Sequence, residues 1–143
     1  MLFRSAGVDT ITGGAGVDTL VYTTLADGLV GGSTSARTFE AITDFTIGQD
    51  RFDVTNVPAA GAFKNLGAVA ALSDTALTGL LSASSFVAKG AATFSFGTGS
   101  AARIFIAFND TTAGFSATKD AVVEITGYAF ASGFSALSQI SLV

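Results

Sequence analysis

Residues Ala6 to Val21 hold one short unit written twice. Ala6-Gly7-Val8-Asp9-Thr10-Ile11-Thr12 is followed nine residues on by Ala15-Gly16-Val17-Asp18-Thr19-Leu20-Val21, with Gly13-Gly14 between the copies. The second copy completes the nonapeptide Gly-Gly-x-Gly-x-Asp-x-aliphatic-x. Glycines let the backbone take turn conformations closed to other residues and aim carbonyl oxygens at a common centre, while Asp adds a hard anionic oxygen. An all-oxygen set of that kind suits calcium, and it nominates Gly7, Asp9, Gly14, Gly16 and Asp18 as ligands. A single glycine turn with an Asp is an ordinary turn. Two copies in phase form a repeat.

These repeats resemble the repeats-in-toxin (RTX) family of bacterial type I secretion substrates, whose nonapeptides wind into a parallel β-roll. The first copy departs from the pattern, with Arg4-Ser5 where the glycine pair belongs. The aliphatic position begins a short strand whose side chain enters the roll, so Ile11 and Leu20 are expected in the core. Two nonapeptides make one coil, and ions sit between turns that recur every eighteen residues. That step leads from Asp9 to Asp27, so the two could share an ion; equally, Asp27 before Gly28 reads as an ordinary turn residue. The same step from Asp18 reaches Ala36, beside Arg37, so a second ion there needs Glu40 or Asp44.

Composition narrows the function classes. With 143 residues the chain reads as a single domain, 1–143, long enough to bury a core without staples. Zero Cys removes disulfides and thiolate metal sites, and zero His removes Ser-His-Asp and Cys-His catalysis and the usual zinc sites. A net charge of −4 with seven Lys and Arg argues against a nucleic-acid partner. No apolar run reaches the roughly 18 residues of a membrane helix, so no membrane insertion is expected, and no basic-led signal peptide opens the chain. Acid pairs such as Asp44 with Asp50 could in principle hydrolyse glycosides, but nothing fixes their spacing. The chain reads as a non-enzyme.

Along the rest of the chain, Leu29 to Ser35 reads as a loop, and Phe39, Ile42, Phe45 and Phe52 form the inward set of the next strands. The run Glu40-Ala41-Ile42-Thr43-Asp44-Phe45, then Gly48-Gln49-Asp50-Arg51-Phe52-Asp53, is similar to the segment after the last repeat in serralysin-type C-terminal domains. That resemblance implies that Glu40 and Asp44 close the final calcium sites, while Asp50 and Asp53 read as solvated strand-end acids. Val57-Pro58 ends a strand. Leucines at helical spacing, with Ser73-Asp74 as an N-cap, predict two short helices within about 65–84. Ala92–Gly97 and Arg103–Phe108 read as a hairpin, Ala121–Gly127 as a further strand, and Leu137–Val143 as the strand that closes the sheet. Asn109, Asp110 and Asp120 could hold another cation but read first as turn residues.

The segment from Ile106 through Gly127 resembles the bluetail C-terminal domain of cyanobacterial surface proteins, and the apolar end Gln139-Ile140-Ser141-Leu142-Val143 resembles an uncleaved type I secretion signal without its acidic residue. The expected fold is mainly β: a short parallel β-roll over 1–35 running into an antiparallel β-sandwich over 36–143, with one or two short helices. The expected function is a calcium-binding C-terminal module of a secreted or cell-surface bacterial protein, exported by the type I apparatus and folding or stiffening as calcium binds. The alternative is a self-assembling surface-layer, fibre or adhesin subunit. There the apolar opening Met1–Phe3 and the sheet edges make homo-oligomer or filament contacts.

Overall fold

The computed structural model describes residues 2, 3 and 7–143, with backbone alone for Leu2 and Phe3. Arg4-Ser5, which replace the first glycine pair, lie outside the described residues, as do Met1 and Ala6. In chain order the strands are β1 (Leu2–Phe3), β2 (Thr10–Ile11), β3 (Thr19–Tyr22), β4 (Gly31–Ser33), β5 (Ala36–Thr38), β6 (Glu40–Ile42), β7 (Thr46–Ile47) and β8 (Arg51–Val54). After these come β9 (Phe63–Val69), helix α1 (Asp74–Leu80), β10 (Ala91–Phe96), β11 (Arg103–Phe108), β12 (Ala121–Glu124), β13 (Ala129–Phe130) and β14 (Ser141–Leu142).

The fold is mainly β, with mixed sheets. Among the described residues, one sheet has four strands in the order β1-β3-β8-β14 and another has six in the order β2-β6-β12-β11-β10-β9. Two small pairs, β4-β5 and β7-β13, complete the set. The first half of the chain shuttles between the two larger sheets. Leu2 faces Leu20 and Leu20 faces Phe52 in parallel in the four-stranded sheet. Thr10 faces Ala41 and Ile11 faces Ile42, also in parallel, in the six-stranded one. Strands β2, β6 and β8 alternate exposed or half-exposed with buried residues, so each sends one face inward.

Ile11 and Leu20 are buried between the sheets together with Tyr22, Ile42, Phe45 and Phe52. The Phe45 and Phe52 rings stack at 4.8 Å, and Phe108 closes on Phe52 at 5.3 Å. Successive residues of β11 and β12 point to opposite faces, so the middle of the six-stranded sheet is dry on both. Ile106, Phe108, Ala121 and Val123 face the four-stranded sheet, while Phe105, Ala107 and Val122 join Leu77, Leu81, Phe86 and Phe94 on the far side.

Helix α1 caps that far side. The Ser73 hydroxyl accepts the Ala76 N–H at 3.3 Å, Asp74 favours the positive helix start, and Leu77 and Leu81 are fully buried. Arg37 holds Asp74 through two contacts of 2.5 Å and so ties the helix start to β5.

Four expectations are corrected. Only one of the two predicted helices forms: residues 63–69 are β9, an edge strand parallel to β10, because the β10 edge needs backbone partners and Gly67 sits at φ +78°, outside helical space. The predicted loop 29–35 contains β4, which turns at Gly32 (φ +75°) into the hairpin with β5. The sheets after residue 36 are mixed rather than antiparallel, since β6 joins β12, β8 joins β3 and β14, and β9 joins β10 all in parallel. At the C-terminal end the strand is reduced to Ser141–Leu142, after a 3-10 turn at Leu137–Gln139. The hairpin of β10 and β11 forms as expected, with Phe94 opposite Phe105.

Candidate metal centre

The repeat glycines occupy the backbone region their type permits. Gly7, Gly14 and Gly16 have φ of +133°, +92° and +117°, and at none of them would a Cβ meet another atom within 4 Å. Backbone conformation, rather than crowding, therefore selects glycine at these turns. Gly13 differs: a Cβ there would lie 2.6 Å from Oδ2 of Asp18, so the Asp18 carboxylate is folded back over the turn that precedes it.

Strand register aligns acids at or just before the starts of parallel partner strands. Because Thr10 faces Ala41, Asp9 is in step with Glu40, and the Ala41 N–H donates to the Asp9 carbonyl at 2.9 Å. Because Thr19 faces Arg51, Asp18 is in step with Asp50, and the Arg51 N–H donates to the Asp18 carbonyl at 3.0 Å. The interval is 31 to 32 residues rather than eighteen, since the β4-β5 hairpin is inserted before β6. Asp27 is therefore out of step with Asp9. It sits half-buried in the 3-10 turn Leu25–Gly28, where its N–H bonds the Thr24 carbonyl at 3.2 Å and the turn packs on β12.

The second glycine turn meets residues 43–50 through carboxylates. Asp44 accepts the Gly13 N–H at 2.8 Å and the Gly14 N–H at 2.7 Å, one on each oxygen. Asp50 accepts the Asp18 N–H at 2.9 Å and the Thr46 N–H at 2.7 Å. The Gln49 amide donates to the Gly16 carbonyl, and the hydroxyls of Thr12 and Thr43 lie 2.8 Å apart. Glu40 is wholly buried between the sheets, where its carboxylate accepts the Tyr22 hydroxyl. Asp50 corrects the sequence reading. It is 5% exposed, a bridge between turns rather than a solvated strand-end acid. Its 32-residue offset from Asp18, shared by Phe52 and Leu20, is the signal that would have found it.

What the seam offers chemically is oxygen. Asp44 and Asp50 each bond two turn amides, and a charged acceptor makes such bonds stronger than neutral ones. A carboxylate oxygen keeps further lone pairs, so the same groups with the Asp18 carboxylate and turn carbonyls fit a hard cation. Among the described residues, no three acidic side chains gather into one cluster.

A related clamp lies elsewhere. Asp120, fully buried, accepts the Asp110 N–H at 2.9 Å and the Ser116 N–H at 2.6 Å and so closes loop 109–120. Burial pushes its carboxyl up to about 6; the two amide bonds and Lys119 pull the other way, and Asp110 adds to the rise. At Glu124 burial also acts upward, but the Arg103 guanidinium and the Thr126 hydroxyl outweigh it and hold the group below its ordinary value. Sequence reading left Asp120 as a turn residue because its role depends on two amides in a loop that folds back over it. Comparison with protein-family models, curated proteins and solved structures finds no match for the chain.

Proposed function

We propose that this chain is a non-catalytic, calcium-responsive β-roll module of a secreted or cell-surface protein. One observation carries the reading: Asp18 stands in step with Asp50 on paired strands and Asp44 bonds the Gly13 and Gly14 amides, beside glycine turns at positive φ. Stacked carboxylates repel one another, and glycine turns cost backbone entropy to order. A divalent cation between coils offsets both. Extracellular modules hold calcium at about 10⁻⁴ to 10⁻³ M, so the turns stay loose where calcium is scarce and tighten where it is plentiful. Export by a type I apparatus rests on the resemblance of the repeats and of the apolar end.

Self-assembly is the second reading, and exposed apolar side chains favour it. Val8 and Val17, at matching places in the two repeats, are 45% and 65% exposed. Homotypic contact between turn tips would cover them.

Calorimetric titration of the full chain with calcium tests the first reading. Saturable binding that Asp18→Asn weakens supports it. No heat of binding at millimolar calcium, with Val17→Ser abolishing a dimer or larger species, would favour assembly instead.

A further inference from the structure

A groove of about 400 Å³ opens where β3 and β8 end, away from the glycine turns. Thr23 follows β3, Thr55 and Asn56 follow β8, and Asp110, Thr111 and Lys119 come from loop 109–120. We propose that this groove binds a neutral saccharide.

The lining carries the argument. Threonine hydroxyls and the Asn56 amide each offer donors and acceptors, the mixture a polyhydroxylated ligand needs on every side. Leu25 and Leu29 add aliphatic surface for the C–H faces of a sugar ring. One carboxylate, Asp110, and one ammonium, Lys119, cancel, so the groove selects neither anion nor cation by charge. Its volume lies toward the lower end of ligand sites, the scale of one sugar ring or a short oligosaccharide. Thr23 and Thr111 are exposed and Asn56 is half-buried, so their polar atoms are open to a ligand.

The walls are fixed before any ligand arrives. The Thr55 hydroxyl donates to the Thr23 carbonyl and, at 3.3 Å, to that of Tyr22, joining the ends of β3 and β8. Asp120 clamps the opposite loop, and the Asn109 amide donates to the carbonyls of Phe86 and Val87 at 2.8 Å each. A preformed site loses less conformational freedom on binding. Among the described residues no aromatic ring lines the groove, so stacking adds nothing and the expected Kd is about 1 mM.

The test is an amide chemical-shift titration of the full chain. The probes are methyl glycosides of glucose, galactose, mannose and N-acetylglucosamine, each taken to about 50 mM, far past that Kd. Inorganic phosphate is the charged control. At least one neutral glycoside should give saturable shifts confined to residues 23–29, 55–56 and 110–119. Asn56→Ala and Thr111→Ala should each weaken binding about tenfold while leaving shifts elsewhere in place. Absence of saturable shifts with every glycoside would overturn the proposal, as would binding of phosphate alone that Lys119→Ala removes.

Discussion

The short strands of residues 7–54 and the strand-helix half of residues 63–124 meet in the six-stranded sheet and are held by different forces. In the coils the strands are only two to four residues long, and the next parallel neighbour comes from the following coil. Their junctions depend on the carboxylates of Asp44 and Asp50 binding turn amides. In the other half β10 and β11 are six residues each, joined by a short connection, and Leu77, Leu81 and Phe86 close a dry face over them. A region held at its turns by charged groups should respond to charge removal and, on the proposed reading, to ions. A region held by apolar packing answers to cavities.

That contrast can be broken or sharpened by experiment. The largest effect is expected in the packed half, where Leu77→Ala should cost about 2–5 kcal/mol in denaturant unfolding, with or without calcium. If calcium restored much of that loss, the two halves would not be distinct.

Stability against pH comes next. The Asp120 carboxyl titrates near 6 in the folded chain against 3.8 ordinarily, so its contribution is fully present below about 3.8 and lost as pH rises through about 6. By the size of that shift the loss is up to about 3 kcal/mol, and Asp120→Asn should flatten the slope between those values. Glu124 and Asp74 run the other way. Their carboxyls lie below the ordinary 4.5 and 3.8, Glu124 through Arg103 and Thr126 against burial and Asp74 chiefly through Arg37, so their contributions are lost at lower pH, as acid titrates them. An unchanged slope in Asp120→Asn would contradict a carboxyl raised by burial.

In the coils, Asp50→Ala strips the partner from the N–H groups of Asp18 and Thr46. A loss of about 1–3 kcal/mol is expected, read by faster amide exchange across both turns. A neutral result would mean that the seam is not held by this carboxylate. Calcium is expected to have the smallest effect: at ten times its Kd, each proposed site would add about 1.4 kcal/mol.

How far the sequence disclosed this arrangement depends on whether local pattern or distant contact decided it. Ile11 and Leu20 were legible because the aliphatic place repeats, and Ser73 because a cap and a helix start are local signals. The hairpin of β10 and β11 was legible from its glycine-rich turn. Residues 63–69 were not, since an edge strand and a leucine-bearing helix share their pattern and the exposed β10 backbone decides between them. The acid ladder was hidden by the inserted β4-β5 hairpin, which moves the return from eighteen residues to 31 or 32 and replaces Asp27 by Glu40 opposite Asp9. Asp50 looked like a surface acid until its coil stacked on the glycine turn.

The most direct test of the central claim is near-UV circular dichroism with light scattering on one sample, in millimolar calcium and then in excess EGTA. The account expects a reversible loss of the aromatic signal from Tyr22, which ends β3 and bonds Glu40, while the particle stays one chain in size. An unchanged spectrum with large particles in both buffers would contradict it and leave a self-assembling β-protein whose glycine turns hold no ion.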